Sequence, residues 1–224
     1  MIVTKFGLSL AVLLGLSLPV QAQTVSLIFD GTQPAMINLT TTGSDAYDTG
    51  ILNYTSSTGA SFAAFCVELK QDYATHDDGY QSFTLGTFSG REASALQGLY
   101  STTWGSVDTD VERAAFQTAV WEITHEKSSS AFSVSNGAGS FYFQGLTGGT
   151  AADNTSFVNL VNGYLHSAEA YHGPALYELT RLSNPTYQDL IVAQIAPVPE
   201  PSRMAMMLAG LGAVGFMAGR RQRR

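Results

Sequence analysis

The sequence predicts an α+β fold, in which a β-rich body carries a helical insert between its early and late strands. Short segments of alternating character, separated by turn-forming residues, predict strands in residues 24–88 and again in residues 177–195. Between these two regions, apolar residues recur at helical spacing. The apolar ends of the chain have the character of targeting segments, so we expect a single exported domain between them.

The strands are predicted from alternation and from turn residues. The first covers residues 24–29, and residues 30–60, which hold many Gly, Ser, Thr and Asp residues, are predicted to form a β-meander with loops. In residues 62–69, Phe65 and Val67 lie on one face, which predicts a strand that places Cys66 on the other face. Further strands are predicted at residues 80–88, 141–143, 177–182 and 187–195.

Three helices are predicted between these strands. A short one is expected from residue 91. The second is expected to begin at the capping box of Thr109 and Glu112 and to end near Glu126. Its apolar stripe is formed by Phe116, Ala119, Val120 and Ile123. A long Ser/Gly-rich loop follows in residues 128–149, and a third helix is predicted at residues 153–169.

The N-terminal end has the composition of a secretory signal peptide. Lys5 opens a positive region, an apolar stretch follows, and Val20 and Ala22 form a small-x-small cleavage signal. We therefore predict a signal peptide at residues 1–22 and an exported domain at residues 23–195, followed by a sorting segment at residues 196–224.

The C-terminal end combines three features in a fixed order. A Pro-Glu-Pro motif comes first, and an apolar run of 16 residues follows at residues 204–219, about 24 Å long as a helix. An arginine cluster closes the chain, which predicts a transmembrane helix whose C-terminus stays in the cytoplasm. The motif residues are Pro199, Glu200, Pro201, Arg220, Arg221, Arg223 and Arg224.

This order of motif, apolar run and arginines resembles the PEP-CTERM sorting signal of bacteria that export polysaccharide. The resemblance implies that a membrane exosortase processes the chain. The protein would be held briefly in the inner membrane and would end at the cell surface or in an extracellular matrix, such as that of a biofilm.

The exported part is strongly acidic. Residues 23–201 contain five basic residues and eighteen acidic ones, so their net charge is −13. Such a surface repels phosphate backbones, which argues against nucleic acid as a partner.

The chain contains one cysteine, Cys66, although exported proteins occupy an oxidising environment. It follows Phe65 and precedes Val67, and 51 residues further on stands Gln117, within the segment Gln-Thr-Ala-Val-Trp. A lone cysteine can also be a small, inert hydrophobic side chain in a core. Here, however, the two motifs together resemble the thioester domains of bacterial surface adhesins.

The resemblance implies an internal thioester between Cys66 and Gln117, which an amine or a hydroxyl of a partner would open. The bulky side chains of Trp121 and Phe116 would shield the bond from water. Adhesins commonly have threonine immediately before the glutamine, and this chain departs from that pattern at Phe116.

The sequence contains no recognised motif of a turnover enzyme, so we expect no enzymatic activity and no cofactor. Glu122 and His125 have the spacing of a di-iron ligand pair, but the chain lacks a second copy, so an exposed helix face is predicted there and no metal site. Two functions remain: a surface protein that binds a partner or exopolysaccharide covalently, and a non-covalent structural matrix protein of the same export route.

Overall fold

The computed structural model describes residues 23–197, apart from the side chains of residues 33–36. This part of the chain contains strands β1 (Thr24–Thr41), β2 (Ala46–Ser56), β3 (Ser61–Cys66), β4 (Gln81–Gly86), β5 (Phe143–Leu146), β6 (Tyr177–Ser183) and β7 (Leu190–Ile195). Its α-helices are α1 (Gly90–Thr103), α2 (Asp110–His125) and α3 (Ala151–Ala170). The predicted signal peptide, the Pro-Glu-Pro motif, the apolar run 204–219 and the arginine cluster lie outside the described residues. Within residues 23–197, the structure contains no helix that is both long and apolar enough to cross a membrane.

Six strands form a closed antiparallel barrel in the order β1–β2–β3–β7–β6–β4, with β4 pairing back to β1. The long strand β1 pairs with β4 through residues 24–27 and with β5 through residues 39–41. Its register against β2 shifts beside Gly31, whose φ of +137° suits glycine and few other residues. The predicted β-rich body with helices is confirmed, and its closure into a barrel is a feature that local patterns do not predict.

The helices pack on the barrel and on one another. Helix α2 contacts β1, β2 and β3, and α3 packs against both α1 and α2. The contact between α1 and α3 depends on Gly98, because a Cβ atom there would lie 2.1 Å from the backbone oxygen of Ala168. Since α1 and α2 lie between β4 and β5, and α3 lies between β5 and β6, the helical insert stands where the sequence predicts it.

Helix α2 begins as predicted, with the Thr109 side chain accepting from Glu112 N–H and the Glu112 side chain accepting from Thr109 N–H. The same reciprocal cap, formed by Thr150 and Asp153, starts α3 two residues before the predicted helix. Strand β1 runs twelve residues beyond its predicted end, and β3 ends at Cys66 rather than at residue 69. The early end of β3 creates the site described next.

Candidate functional site

The candidate site lies where β3 leaves its neighbour β2. The β2–β3 pairing ends at Leu52 and Ala64, whereas β3 continues to pair with β7 as far as Cys66. Val67 N–H donates to Asp189 O on the β7 side at 2.7 Å. Because successive residues of a strand direct their backbone groups to opposite sides, the N–H and C=O of Cys66 face the side that β2 has left.

The side chain of Gln117 on α2 takes the place of the missing strand. Cys66 N–H donates to Gln117 Oε1 at 2.8 Å, and Gln117 Nε2 donates to Cys66 O at 2.8 Å. The carboxamide therefore bonds like one peptide unit of a neighbouring strand. Both residues are buried, with 5% of Cys66 and 1% of Gln117 exposed, so the structure brings the two predicted partners together away from water.

These hydrogen bonds limit the distance between the two groups that a thioester would join. Bond lengths place the Gln117 carboxamide carbon within about 4 Å of the Cys66 backbone nitrogen. The Cys66 sulfur is also within about 4 Å of that nitrogen, because three bonds separate them. The sulfur and the carboxamide carbon thus lie within about 8 Å of each other.

Burial strongly affects the Cys66 thiol. Removal from water raises the pKa of Cys66 to about 12, because the charged thiolate loses its hydration. A free thiol at this position is therefore almost fully protonated at neutral pH and reacts slowly with alkylating reagents. An acylated sulfur carries no charge, so the same burial does not penalise a thioester.

Gln117, Trp121 and His125 follow one another at intervals of four residues, so they lie along one side of α2. We call these three residues the polar column. The Trp121 ring is 1% exposed and packs against Tyr47 and Phe141, with ring centroids 5.5 and 6.5 Å away. The indole N–H of Trp121 has no acceptor within the described residues. At the end of the column, His125 Nε2 donates to Val67 O at 2.8 Å, one residue after Cys66.

Phe116 belongs to the aromatic packing beside the site. Its ring lies 4.9 Å from that of Phe65, 4.9 Å from Tyr100 and 5.4 Å from Trp104. This contact packs α2 on the strand face that carries Phe65. The hydroxyl of Thr118, on the other side of Gln117, donates to Ala114 O within its own helix at 2.8 Å. The Gln117 carboxamide is consequently held by the Cys66 backbone and not by a neighbouring threonine.

The prediction of an exposed helix face at Glu122 and His125 is wrong. Glu122 is 1% exposed and accepts a hydrogen bond from Ser133 N–H at 2.8 Å, while His125 is half-buried. Burial raises the pKa of Glu122 to about 8. The signal for this burial was present in the sequence, because residues 114–121 contain no charged side chain on any face of the helix.

Within residues 23–197, no three His, Cys, Asp or Glu side chains gather closely enough to hold a metal ion.

Comparison with known proteins gives a match to one family model and likenesses to solved structures. Residues 197–224 match the PEP-CTERM protein-sorting motif, which implies processing by an exosortase and sorting to the cell surface or beyond. No curated protein sequence matches the chain.

Two of the structural likenesses are to Streptococcus pyogenes proteins. The N-terminal domain of the pilus tip adhesin Cpa is 16% identical, with 80% of this chain and 97% of that chain covered at a TM-score of 0.45. The N-terminal thioester domain of the fibronectin-binding protein SfbI is 13% identical, with 67% and 87% covered at a TM-score of 0.38. Because both TM-scores are below 0.5, the case for a thioester rests on the residues of this chain.

Proposed function

We propose that this protein is an exosortase-sorted surface protein that attaches to its partner covalently through a thioester between Cys66 and Gln117. The observation that carries the proposal is the pair of 2.8 Å hydrogen bonds that hold the Gln117 carboxamide against Cys66. These bonds link two residues 51 positions apart, on a strand and a helix that only tertiary packing brings together.

The geometry supports a simple route to the bond. The Cys66 sulfur attacks the carboxamide carbon, and the charge that develops on Gln117 Oε1 is stabilised by Cys66 N–H, which already donates to that oxygen. The C–N bond then breaks, and the thiol proton leaves with the nitrogen as ammonia. The product is a buried, uncharged thioester whose reactive carbon is protected from water.

The partner would open this thioester with an amine or a hydroxyl group. Its nucleophile would form an amide or ester with the Gln117 side chain, and Cys66 would become a free thiol again. Trp121 and Phe116 are proposed to shield the bond until the partner arrives, since both are buried beside the two bonded residues. The proposed partner lies at the cell surface or in an exopolysaccharide matrix, and the sorting motif at residues 197–224 supports such a location.

A non-covalent structural role in the same matrix is the second candidate. One observation favours it: the two hydrogen bonds give a partner to each polar atom of the Gln117 side chain and of the Cys66 backbone, so the glutamine has a structural purpose even without a covalent bond. Under this alternative, Cys66 is an inert buried thiol.

The reactivity of Cys66 toward an alkylating reagent separates the two candidates. We expect no labelling of the native protein, and stoichiometric labelling after methylamine treatment followed by denaturation, because the amine releases the sulfur. Denaturation in acid without methylamine is the control and should leave the thioester in place and the cysteine unlabelled. Full labelling of acid-denatured, untreated protein would support the non-covalent candidate.

A further inference from the structure

We propose that the cleft over Trp121 receives an acidic carbohydrate and that His125 activates one of its hydroxyl groups for transfer to Gln117. This inference rests on the proposed thioester and names the partner class that it takes. The cleft has a volume of about 220 Å³, and Tyr47, Lys70, His125, Lys127 and Phe141 line it. We refer to it as the Tyr47 cleft.

The Tyr47 cleft is joined to the candidate bond through the polar column. Tyr47 and Phe141, which line the cleft, are the two aromatic residues that pack against Trp121. Along α2, Gln117 lies about one turn before Trp121, and His125 lies about one turn after it. The Trp121 ring therefore lies between the cleft and the bond. Its displacement by a partner would break no hydrogen bond of its indole N–H, which has no acceptor in the described part of the chain.

His125 is anchored to Val67, the residue that follows Cys66. Gln117 bonds to Cys66 O, and His125 bonds to the next carbonyl oxygen, that of Val67. Consecutive Cα atoms are only about 3.8 Å apart, so both side chains are anchored to neighbouring residues. His125 is thus the polar-column residue that both lines the cleft and is anchored beside Cys66.

The protonation state of His125 suits a base. Because Nε2 donates to Val67 O, Nδ1 is the nitrogen that accepts a proton. Burial lowers the pKa of His125, and Lys127 and Arg181 act in the same direction, while the Val67 hydrogen bond and Glu68 oppose it. The imidazole is therefore neutral at pH 7 and able to take a proton from a hydroxyl.

The charges of the cleft favour an anionic partner. Lys70 and Lys127 are the only lysines in residues 23–197, and both line the cleft. Each of the three arginines in this range forms a salt bridge, with Glu169, Asp110 or Asp189, whereas neither lysine forms one with a described residue.

Three carboxylates lie nearby, and each already has hydrogen-bond donors of its own. Asp45 lines the cleft and bonds to the Tyr47 hydroxyl, and Glu68 accepts from the backbone N–H groups of Leu69 and Lys70. Glu126 accepts from the backbone N–H groups of Ser128 and Ser140. In a domain that otherwise repels anions, these two lysines are thus available to a carboxylate on the partner. A hydroxyl for the base and a carboxylate for the lysines occur together in a uronic acid.

The proposed transfer moves the acyl group of Gln117 from the Cys66 sulfur to a sugar oxygen, and it accounts for every proton. The sugar oxygen attacks the thioester carbon while His125 Nδ1 takes the hydroxyl proton, and Cys66 N–H stabilises the charge on Gln117 Oε1. The C–S bond then breaks, and the departing sulfur receives the proton from His125, because a buried thiolate is strongly disfavoured. An ester and a free thiol result. An unprotonated amine attacks without needing a base, so methylamine reaction does not depend on His125.

The test uses the full chain, purified in detergent, and follows its intact mass after incubation with a galacturonate trisaccharide, with maltotriose, with an acidic lysine peptide or with methylamine. We expect the wild-type protein to esterify the acidic sugar about tenfold faster than the neutral one, as one good charge contact predicts. His125→Gln should keep the mass deficit of the thioester and the methylamine reaction, but should slow esterification by about a hundredfold. The double variant Lys70→Gln/Lys127→Gln should lose the preference for the acidic sugar, and Lys70→Arg/Lys127→Arg should retain it.

His76→Gln is the matched control, because His76 also bonds a backbone oxygen, that of Phe29, and does not line the cleft. It should behave as the wild-type protein does. Equal esterification by the wild-type protein and His125→Gln would overturn the role of His125. Acylation of an acidic lysine peptide with no ester on the trisaccharide would overturn the carbohydrate class. If the wild-type protein shows no mass deficit, the thioester itself is absent and the proposed function fails with the inference.

Discussion

Two neighbouring sides of α2 are turned toward the rest of the protein, and they differ in their chemistry: one is apolar and the other forms hydrogen bonds. One side carries Phe116, Val120 and Ile123, which are buried and wholly apolar. The other is the polar column, in which Gln117 and His125 bond to consecutive backbone oxygens at the end of β3. Degree of burial does not distinguish the two sides well. The polar atoms of the column do, because they bond to the backbone at Cys66 and Val67, whereas the apolar side only packs. We therefore expect the apolar side to anchor the helix and the column to carry any chemistry.

Substitutions at adjacent positions should separate these two roles. Phe116→Ala removes a fully buried ring and should lower the free energy of unfolding by about 3–5 kcal/mol, yet the folded fraction should keep the thioester. Gln117→Ala should cost less, about 2–3 kcal/mol, because it leaves the N–H and C=O of Cys66 buried without partners. It should abolish the thioester completely. Urea unfolding measures the free energy of unfolding, and intact mass shows whether the thioester is present.

Gln71→Ala is the control for that pair, since Gln71 makes only an exposed hydrogen bond to Pro185 O. It should change the free energy of unfolding by less than about 0.5 kcal/mol. The separation of roles would be contradicted if Phe116→Ala folded and lacked the thioester, or if Gln117→Ala retained it.

The buried carboxyl group of Glu122, on a third side of α2, predicts that stability depends on pH. Glu122 has a folded-state pKa of about 8, raised by burial above its ordinary value of 4.5. The folded state therefore keeps this proton while the unfolded state loses it, so the contribution of Glu122 to stability is lost as pH rises from about 4.5 to about 8. The slope is at most about 1.4 kcal/mol per pH unit. Glu122→Gln should remove this part of the decline in urea unfolding measured from pH 5 to 8, and an unchanged slope would refute the assignment.

The shielding role of Trp121 should appear in the lifetime of the thioester. Trp121→Phe keeps an aromatic ring but leaves a small gap, which should cost about 1–2 kcal/mol in unfolding free energy. Water then reaches the bond more easily, so the mass deficit should disappear faster than in the wild-type protein. Phe157→Leu, which alters a buried ring of α3, controls for a general loosening of the core. Equal lifetimes in the wild-type protein and Trp121→Phe would show that the ring does not protect the bond.

The sequence predicts the parts of this fold that depend on local signals. The capping box of Thr109 and Glu112 marks the start of α2, and the alternation around Phe65 marks β3. The end of β3 could not be predicted in this way, because it depends on Gln117 replacing a strand partner 51 residues away. The pairing of β4 with β1, which closes the barrel, is likewise a long-range contact with no local pattern.

The candidate site, like the fold, could be predicted only in part from the sequence. Motif resemblance pairs Cys66 with Gln117, and the structure brings these two residues together. The Tyr47 cleft was not predicted, because its residues come from β2, the segment after β3, the end of α2 and the loop before β5. The sequence predicts an exposed face at His125, because its partner, the backbone oxygen of Val67, leaves no trace in the sequence.

The most direct test of the account is the intact mass of the folded protein beside that of Cys66→Ala. Thioester formation releases ammonia, so the wild-type protein should be lighter than the mass of its processed chain by about 17 Da. Cys66→Ala should have the full mass calculated for its sequence. A wild-type protein with its full calculated mass, in a preparation that has met no amine, would contradict the thioester and leave Gln117 with only its structural role.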